Sequence, residues 1–344
     1  MKNKIFLMFT VLFITLISCT NQEMTYDNFD YQSVYFAYQF PVRTITLGED
    51  VFDTSLDNEH KCRIMATLGG VYSNDKNVTI DVQVANPLTT GLLFKAVGAD
   101  VIPMPSNYYT LMSDKIVISQ GQVTGGVDVQ LTDAFFADPI AVKNTYVIPL
   151  KMTNVINADT ILSGKALVAN PNRAIAGDWA VAPKDFIFYA VKYVNPWDGF
   201  YLRRGKDVIV GNNGNTSLNK TIVRHKTYVE NDEVFKINTL SLTNIDFPVV
   251  YKDAIGNNIN CKLILSFDGT GNCTVSSSSP SSYTVTGTGK FVKKGEKNSW
   301  GSKDRDALYL NYTVNLPNFN VATNDTLVLR DRGVKVETFS PVLK

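Results

Sequence analysis

At 344 residues the chain is longer than one ordinary domain, since about 100–200 residues per domain is the usual size, and two domains are expected. Its 33 basic and 32 acidic residues leave a net charge of +1, and neither sign clusters. That argues against nucleic acid as a partner, because polyanions are met by basic stripes interleaved with aromatics. Asn, Thr, Ser, Gly, Tyr and Val are plentiful and long Ala/Glu/Lys/Leu runs are missing, so the fold is expected to be all-β.

Lys2 and Lys4 precede an apolar run from Ile5 to Ile17, which ends in Leu16-Ile17-Ser18-Cys19. A basic head, an apolar core and small residues before a cysteine describe a secretory signal. The run is short of the roughly 20 residues that a membrane span needs. The Leu-x-Ser-Cys ending is that of a bacterial lipoprotein signal. Residues 1–18 are therefore expected to be removed, Cys19 to be lipidated, and 19–28 to serve as a tether. The expected address is the outer membrane at the cell surface, with the membrane engaged through the lipid alone.

From about 29 to 170, short β-branched stretches bounded by Gly, Asn, Asp or Pro read as strands. They are Val34–Tyr38, Val42–Leu47, Cys62–Leu68, Val78–Val84, Lys115–Ser119, Val127–Leu131 and Tyr146–Met152. Val78, Ile80, Val82 and Val84 share one face, the mark of a half-buried strand. Seven or so strands of this kind fit an immunoglobulin-like sandwich, with Asp133–Pro139 a helical turn across one end. Tyr146-Val147-Ile148-Pro149-Leu150 reads as an edge strand, because Pro149 removes a ladder donor.

Three segments carry a family resemblance: Pro105-Ser106-Asn107-Tyr108-Tyr109-Thr110-Leu111, Ile116-Val117-Ile118-Ser119-Gln120-Gly121-Gln122, and Tyr146 to Leu150. Together they resemble the N-terminal domain of many Bacteroidetes surface lipoproteins, a domain that also precedes the catalytic module in some chitinase-like endoglycosidases. The resemblance implies a non-catalytic module of a glycan-utilisation system, working beside SusC/SusD-like importer proteins.

Asn170-Pro171-Asn172 is the expected boundary, with a second domain over 171–344. Its opening stretch runs from Asp185 through Tyr193-Val194-Asn195-Pro196-Trp197-Asp198-Gly199 to Gly205, and strands follow to Val334–Phe339. Tight turns join most neighbours, which suggests a meander. A meander of eight or more strands removes its edges by closing, so a lipocalin- or calycin-like antiparallel barrel is expected, with a second sandwich as the alternative. Ser299 to Asp306 and Asp325 to Gly333 resemble the C-terminal half of the same lipoproteins.

Catalytic and metal chemistry find little support. His60 and His225 are the only histidines, and neither neighbours a Gly-x-Ser-x-Gly elbow. A His60–Cys62 couple has no basic cluster beyond Lys61 and Arg63 to depress the thiol pKa. No Cys-x-x-Cys or His-x-x-His spacing occurs, so no metal or cofactor is expected. Cys261 and Cys273 flank a turn where a cross-strand disulfide or two unpaired buried thiols would both fit.

A binding site is the stronger expectation. Sugars lay apolar C–H faces on flat rings and offer hydroxyls to Asp, Asn and Arg. Trp179, Trp197 and Trp300 all fall after 171, each near Gly, Asp or Pro. A glycan or oligosaccharide site is therefore expected at one barrel mouth, built from Trp197, Asp198, Tyr201, Arg203, Trp300 and Trp179. Trp197 has a competing reading as a core plug, and of Arg203 and Arg204 only one can face inward. Asp198, Asp304, Asp306 and Asp331 are the carboxylates from which a glycosidase pair would be drawn. The alternation Asp304-Arg305-Asp306 and Arg330-Asp331-Arg332 reads more simply as cross-strand ion pairs. The expected function is non-catalytic glycan binding, with a structural or adhesion module that docks a protein partner as the alternative.

Overall fold

A computed structural model describes residues 29–279 and 281–344. The signal, the lipidation at Cys19 and the tether lie outside the described residues. The N-terminal strands are β1 (Ser33–Tyr35), β2 (Pro41–Thr46), β3 (Lys61–Gly69), β4 (Val78–Val84), β5 (Leu92–Leu93), β6 (Ile102–Pro103), β7 (Tyr109–Leu111), β8 (Lys115–Ile118), β9 (Thr124–Leu131), β10 (Tyr146–Ile156), β11 (Thr160–Ile161), β12 (Lys165–Ala166), β13 (Trp179–Val181) and β14 (Phe186–Val194).

One mixed sheet runs β11-β1-β3-β9-β8-β4-β10-β14-β2, with β6 beside β10 and β7 beside β9. It folds over on itself. Tyr189 on β14 donates across the layer to the Arg63 carbonyl on β3 at 3.3 Å, and strands from both ends share one apolar core. The short helix α1 (Asp133–Ala137) closes one end by setting Phe135 and Phe136 against Tyr193, with ring centroids 6.0 and 5.0 Å away. Val78, Ile80 and Val82 are buried as their alternation requires, while Val84 is exposed at the strand end.

Two expectations about this half are corrected. Tyr146–Leu150 is central, paired with β14 on one side and with β4 and β6 on the other. Pro149 is tolerated because it stands in the gap between β4 and β6, just past the pairing of Leu150 with Val84. β14, expected beyond the 171 boundary, lies inside the first sheet between β10 and β2. Ile187, Tyr189, Val191 and Tyr193 face the main core, and Phe186, Phe188 and Ala190 face a second one. A strand apolar on both faces must be covered on both sides, and only the sheet interior offers that.

The barrel strands are β15 (Gly199–Gly211), β16 (Lys220–Arg224), β17 (Glu233–Thr239), β18 (Asn244–Lys252), β19 (Asn258–Phe267), β20 (Asn272–Ser277), β21 (Thr284–Glu296), β22 (Arg305–Asn315) and β23 (Phe319–Asp331). Consecutive strands pair antiparallel, and β15 closes the ring on β23 from Phe200↔Asp331 to Gly211↔Phe319. β16 takes the same edge of β15 as β17, further along, from Gly205 to Ile209 where β17 has ended. The eight-stranded ring is the barrel expected.

The chain does not end in the barrel. Strand β24 (Glu337–Thr338) pairs with β2, and β25 (Val342–Leu343) pairs with β5. Val334–Phe339 was expected as a last barrel strand. Instead Phe339 packs edge-on to Phe40 and tilted on Phe94, filling the second core of the first sheet.

Arg332 holds the junction. It is buried, and its guanidinium donates to Asn195 O and Asp198 O at 2.6 Å, to Glu49 O at 3.2 Å and to Leu47 O at 3.3 Å. Loss of hydration lowers its pKa from the usual guanidinium value. Gly48 makes the close approach feasible: its φ is +85°, and an added Cβ would stand 3.0 Å from the Pro196 ring. Removing Arg332 takes a donor from four carbonyls, three of them on the buried residues Leu47, Asn195 and Asp198, and a buried acceptor left unmet costs about 1–3 kcal/mol. Urea unfolding of Arg332→Met is expected to show a loss of at least ~3 kcal/mol, and a loss below ~1 kcal/mol would mean that the junction is held elsewhere.

Candidate functional site

The residues expected at a barrel mouth are dispersed. Inward positions on β15 are the odd ones, so Tyr201, Arg203 and Asp207 point into the barrel. Tyr201 is fully buried and donates to the Trp197 carbonyl at 2.9 Å. Trp197 stacks on Phe267 at 3.9 Å with the rings 9° apart and packs, partly buried, against the barrel core. Asp198 accepts from Thr239 N at 2.6 Å and Thr239 Oγ1 at 2.8 Å, and is paired with Lys236. Arg203 is the inward arginine; Arg204 pairs with Asp232 at 2.7 Å outside.

Arg203 belongs to a buried ionic cluster. It pairs with Asp325 at 2.7 Å and lies over the rings of Phe235 and Phe247, at 4.9 and 5.4 Å. Arg224 reaches from β16 to Asp325 at 2.6 Å and to Asp207, while Tyr312 donates to Asp325 at 3.0 Å and Thr323 to Asp207 at 2.7 Å. Two guanidiniums and two carboxylates thus balance inside the ring. Gly205 stands between Arg203 and Asp207, where a Cβ would collide with Asp325 Oδ1. Above and below, Ile237, Phe247, Leu263, Leu265, Leu308 and Val321 complete the filling. An eight-stranded ring is just wide enough for side chains to occupy it, and here they do.

Cys261 and Cys273 are free buried thiols, not a disulfide. Burial pushes Cys261 up to about 11 and Cys273 to about 12. Cys62, also raised to about 12 by burial, cannot act as a nucleophile with His60, whose ring lies 4.1 Å from Phe136. Among the described residues no group of three His, Cys, Asp or Glu could hold a metal ion.

The other two tryptophans separate as well. Trp179 lies on the β12–β13 ribbon and donates to the Asn172 carbonyl at 2.8 Å, with Arg173 5.7 Å from its ring. It belongs to the segment before β14, not to a barrel mouth. Trp300 is half-buried on a 3₁₀ turn, with the Arg305 guanidinium 3.3 Å from its ring centroid. Its indole donates to Leu329 O at 3.3 Å, and Arg305 Nε donates to its carbonyl at 3.1 Å.

Arg305 and Leu329 lead to the candidate site, a cleft of 360 Å³ between the two halves of the molecule. Glu49–Phe52, after β2, form one wall; Asp304–Asp306 at the start of β22 and Leu329–Val334 at the end of β23 form the other. Three of the four carboxylates singled out from sequence, Asp304, Asp306 and Asp331, converge here. Asp198 lies buried beside a smaller pocket across Arg332. Of the cross-strand ion pairs expected of them, one forms, between Asp304 and Lys297 at the facing ends of β22 and β21. Asp304 takes Lys297 at 2.9 Å, Asp306 accepts the Lys294 amide at 2.8 Å, and Asp331 has only its chain neighbour Arg330 at 3.5 Å. Hydrogen bonding to Lys297 holds Asp304 below the usual carboxylate range, and Lys293 does the same for Glu49. Asp50 Oδ1 accepts its neighbour's amide, but Oδ2 is buried without a partner among the described residues. Asp50 and Phe52 carry no sequence signal, because nothing local places a loop near residue 50 against one near 330.

With this geometry in hand, the comparisons with known proteins are informative about kinship. A crystal structure of a Bacteroides ovatus protein of unknown function is 51% identical, covers 92% of this chain and 100% of its own, and superposes with a TM-score of 0.87. The chain belongs to that protein's family. A family model described as a domain of unknown function, DUF5627, matches residues 196–333, and another described as an N-terminal domain matches 26–159. The first of these starts at Pro196, where β14 has left the first sheet. Two further Bacteroides ovatus structures are more distant. A multidomain protein including DUF1735 is 10% identical over 89% of this chain and 99% of its own, with a TM-score of 0.39. A second protein of unknown function is 12% identical over 90% and 99%, with a TM-score of 0.38. No curated protein matches the chain.

Removing Asp325 would leave Arg203 and Arg224 buried and short of a counter-charge, and breaking a buried pair in this way costs about 3–5 kcal/mol. Asp325→Ala is therefore expected to lower the urea midpoint steeply, and an unchanged midpoint would show the cluster to be dispensable. In a chain starting after Cys19, the three remaining thiols should resist an aromatic disulfide reagent at pH 8 until urea is added. Reaction in the folded state would place at least one of them at the surface.

Proposed function

We propose that the protein binds carbohydrate without cleaving it, in the cleft between its two halves, as a lipid-anchored protein of the outer membrane. The observation that carries this reading is Asp50 Oδ2, a buried carboxylate oxygen without a donor on the wall of an open cleft. Buried polar atoms are almost always satisfied, so an orphan beside a cavity points to a missing hydrogen-bond donor. A sugar hydroxyl is such a donor. Around it stand Arg305, Arg330 and further carboxylates, with Phe52, Leu329 and Val334 as apolar surface for C–H groups. The Trp300–Arg305 stack borders the same wall and stiffens it.

The non-catalytic part of the reading draws on two of the cleft's five carboxylates. A glycosidase needs one carboxyl raised so that it can donate a proton. Asp304 and Glu49 are shifted the other way by their lysine partners. The anchor rests on the Leu-x-Ser-Cys signal at Cys19, and hand-over to importer proteins rests on the family resemblance.

Isothermal titration against a panel of plant and host polysaccharides is expected to give binding to at least one. Asp50→Ala and Asp331→Ala should each weaken it about tenfold, the order of one lost charge-assisted hydrogen bond. Folded protein that binds none of the panel would overturn the reading. Labelled palmitate should enter the wild-type chain in a bacterial host but not Cys19→Ala, and equal labelling of both would remove the anchor from the proposal.

A further inference from the structure

The cleft does not stop at Phe52 and Val334. Both residues also line a second cavity, of 540 Å³, bounded by Tyr38, Pro41, Val42, Tyr189 and the returning tail from Val334 to Thr338. It exists because the tail stands off from β2 at Val334–Val336 and pairs with it only from Glu337 onward, leaving a groove along the open edge of that strand. Tyr38 is 69% exposed, Phe52 39% and Val336 95%, so flat and apolar faces are presented to a ligand along the groove. Its polar groups are mostly engaged: Arg43 with Asp57, and Glu337 with Lys192 at 2.9 Å.

The two cavities divide the chemistry between them. The cleft carries Glu49, Asp50, Asp304, Asp306 and Asp331 against Arg305, Arg330 and Arg332, and Arg332 is spent on backbone carbonyls. With Lys293 on Glu49 and Lys297 on Asp304, acidic and basic groups at the cleft balance, so it carries no positive excess that would draw in a polyanion. The groove offers rings and aliphatic groups, which favour the C–H face of a pyranose.

We infer that cleft and groove are one continuous track for a neutral oligosaccharide chain. Hydroxyls of one unit meet Asp50, Asp306 and the arginines, and neighbouring units lie on Phe52 and Tyr38. This rests on the carbohydrate reading above and adds to it the length and charge of the ligand. It also gives the tail beyond the barrel a role, since Val334 and Val336 form the far wall of the track.

The test is affinity electrophoresis of the mature chain in gels containing laminarin, xyloglucan, galactomannan or mannan, and in gels containing polygalacturonate or chondroitin sulfate. Retardation is expected from at least one of the neutral polymers and from neither anionic one. Tyr38→Ala and Phe52→Ala should each weaken it about tenfold, with the melting temperature of Tyr38→Ala unchanged because that residue is 69% exposed, and with both variants folded by circular dichroism. Retardation by the anionic polymers, or retardation by a neutral one that both variants leave intact, overturns the track while carbohydrate binding in the cleft stands. No retardation by any polymer, with the protein folded by circular dichroism, overturns both.

Discussion

A guanidinium buried on backbone carbonyls is an unusual way to join two domains. Arg332 arrives at the end of the last barrel strand and donates to the loop after β2 and to the linker at Asn195–Asp198 at once. Carbonyls at strand ends have no ladder partner, and a dry junction would leave them unpaired. One planar cation with five donors satisfies several of them in a single stroke. The candidate site depends on it, because the cleft is the space left where the loop at Glu49–Phe52 is held against Asp304–Asp306 and Leu329–Val334.

The returning tail reinforces the same arrangement. Having left the barrel at Arg332, the chain lays Phe339 among Phe40, Phe94 and Phe186, pairs with β2 of the first sheet, and then pairs with β5 in a separate two-stranded ribbon. The barrel is thus bracketed by contacts to the N-terminal sheet, through β14 before it and the tail after it. The groups of the two halves that line the cleft are held in one relative position, which would lower the ordering cost of binding a ligand there.

Inside the barrel, charge replaces space. β17 pairs with β18 only at Asn238–Thr239, and Arg224 comes in from β16 to complete the ion cluster with Asp207, Asp325 and Arg203. Buried ion pairs of this kind are weak evidence for stability but are costly to break singly. Arginine and aromatic side chains fill the ring, so the barrel interior is packed and the cleft lies outside it, at the junction.

Local pattern was enough to read the all-β class, most strands, the sandwich and barrel order, and the helical turn at Asp133, because alternation and turn residues are properties of neighbours in sequence. Arg203 could be narrowed to one of two by the two-residue period, and the core reading of Trp197 was available from its place at the barrel entrance. What only the tertiary structure decided are the contacts between residues far apart: β14 in the first sheet, the tail crossing back, the partners of Arg332, and the meeting of Asp50 and Phe52 with Asp304, Asp306 and Asp331. A tryptophan beside a glycine looks the same in sequence whether its ring faces solvent or stacks on Phe267. Periodicity records which face of a strand is apolar. It holds no record of what a distant part of the chain will lay against that face, and the site of this protein is made of just such distant parts.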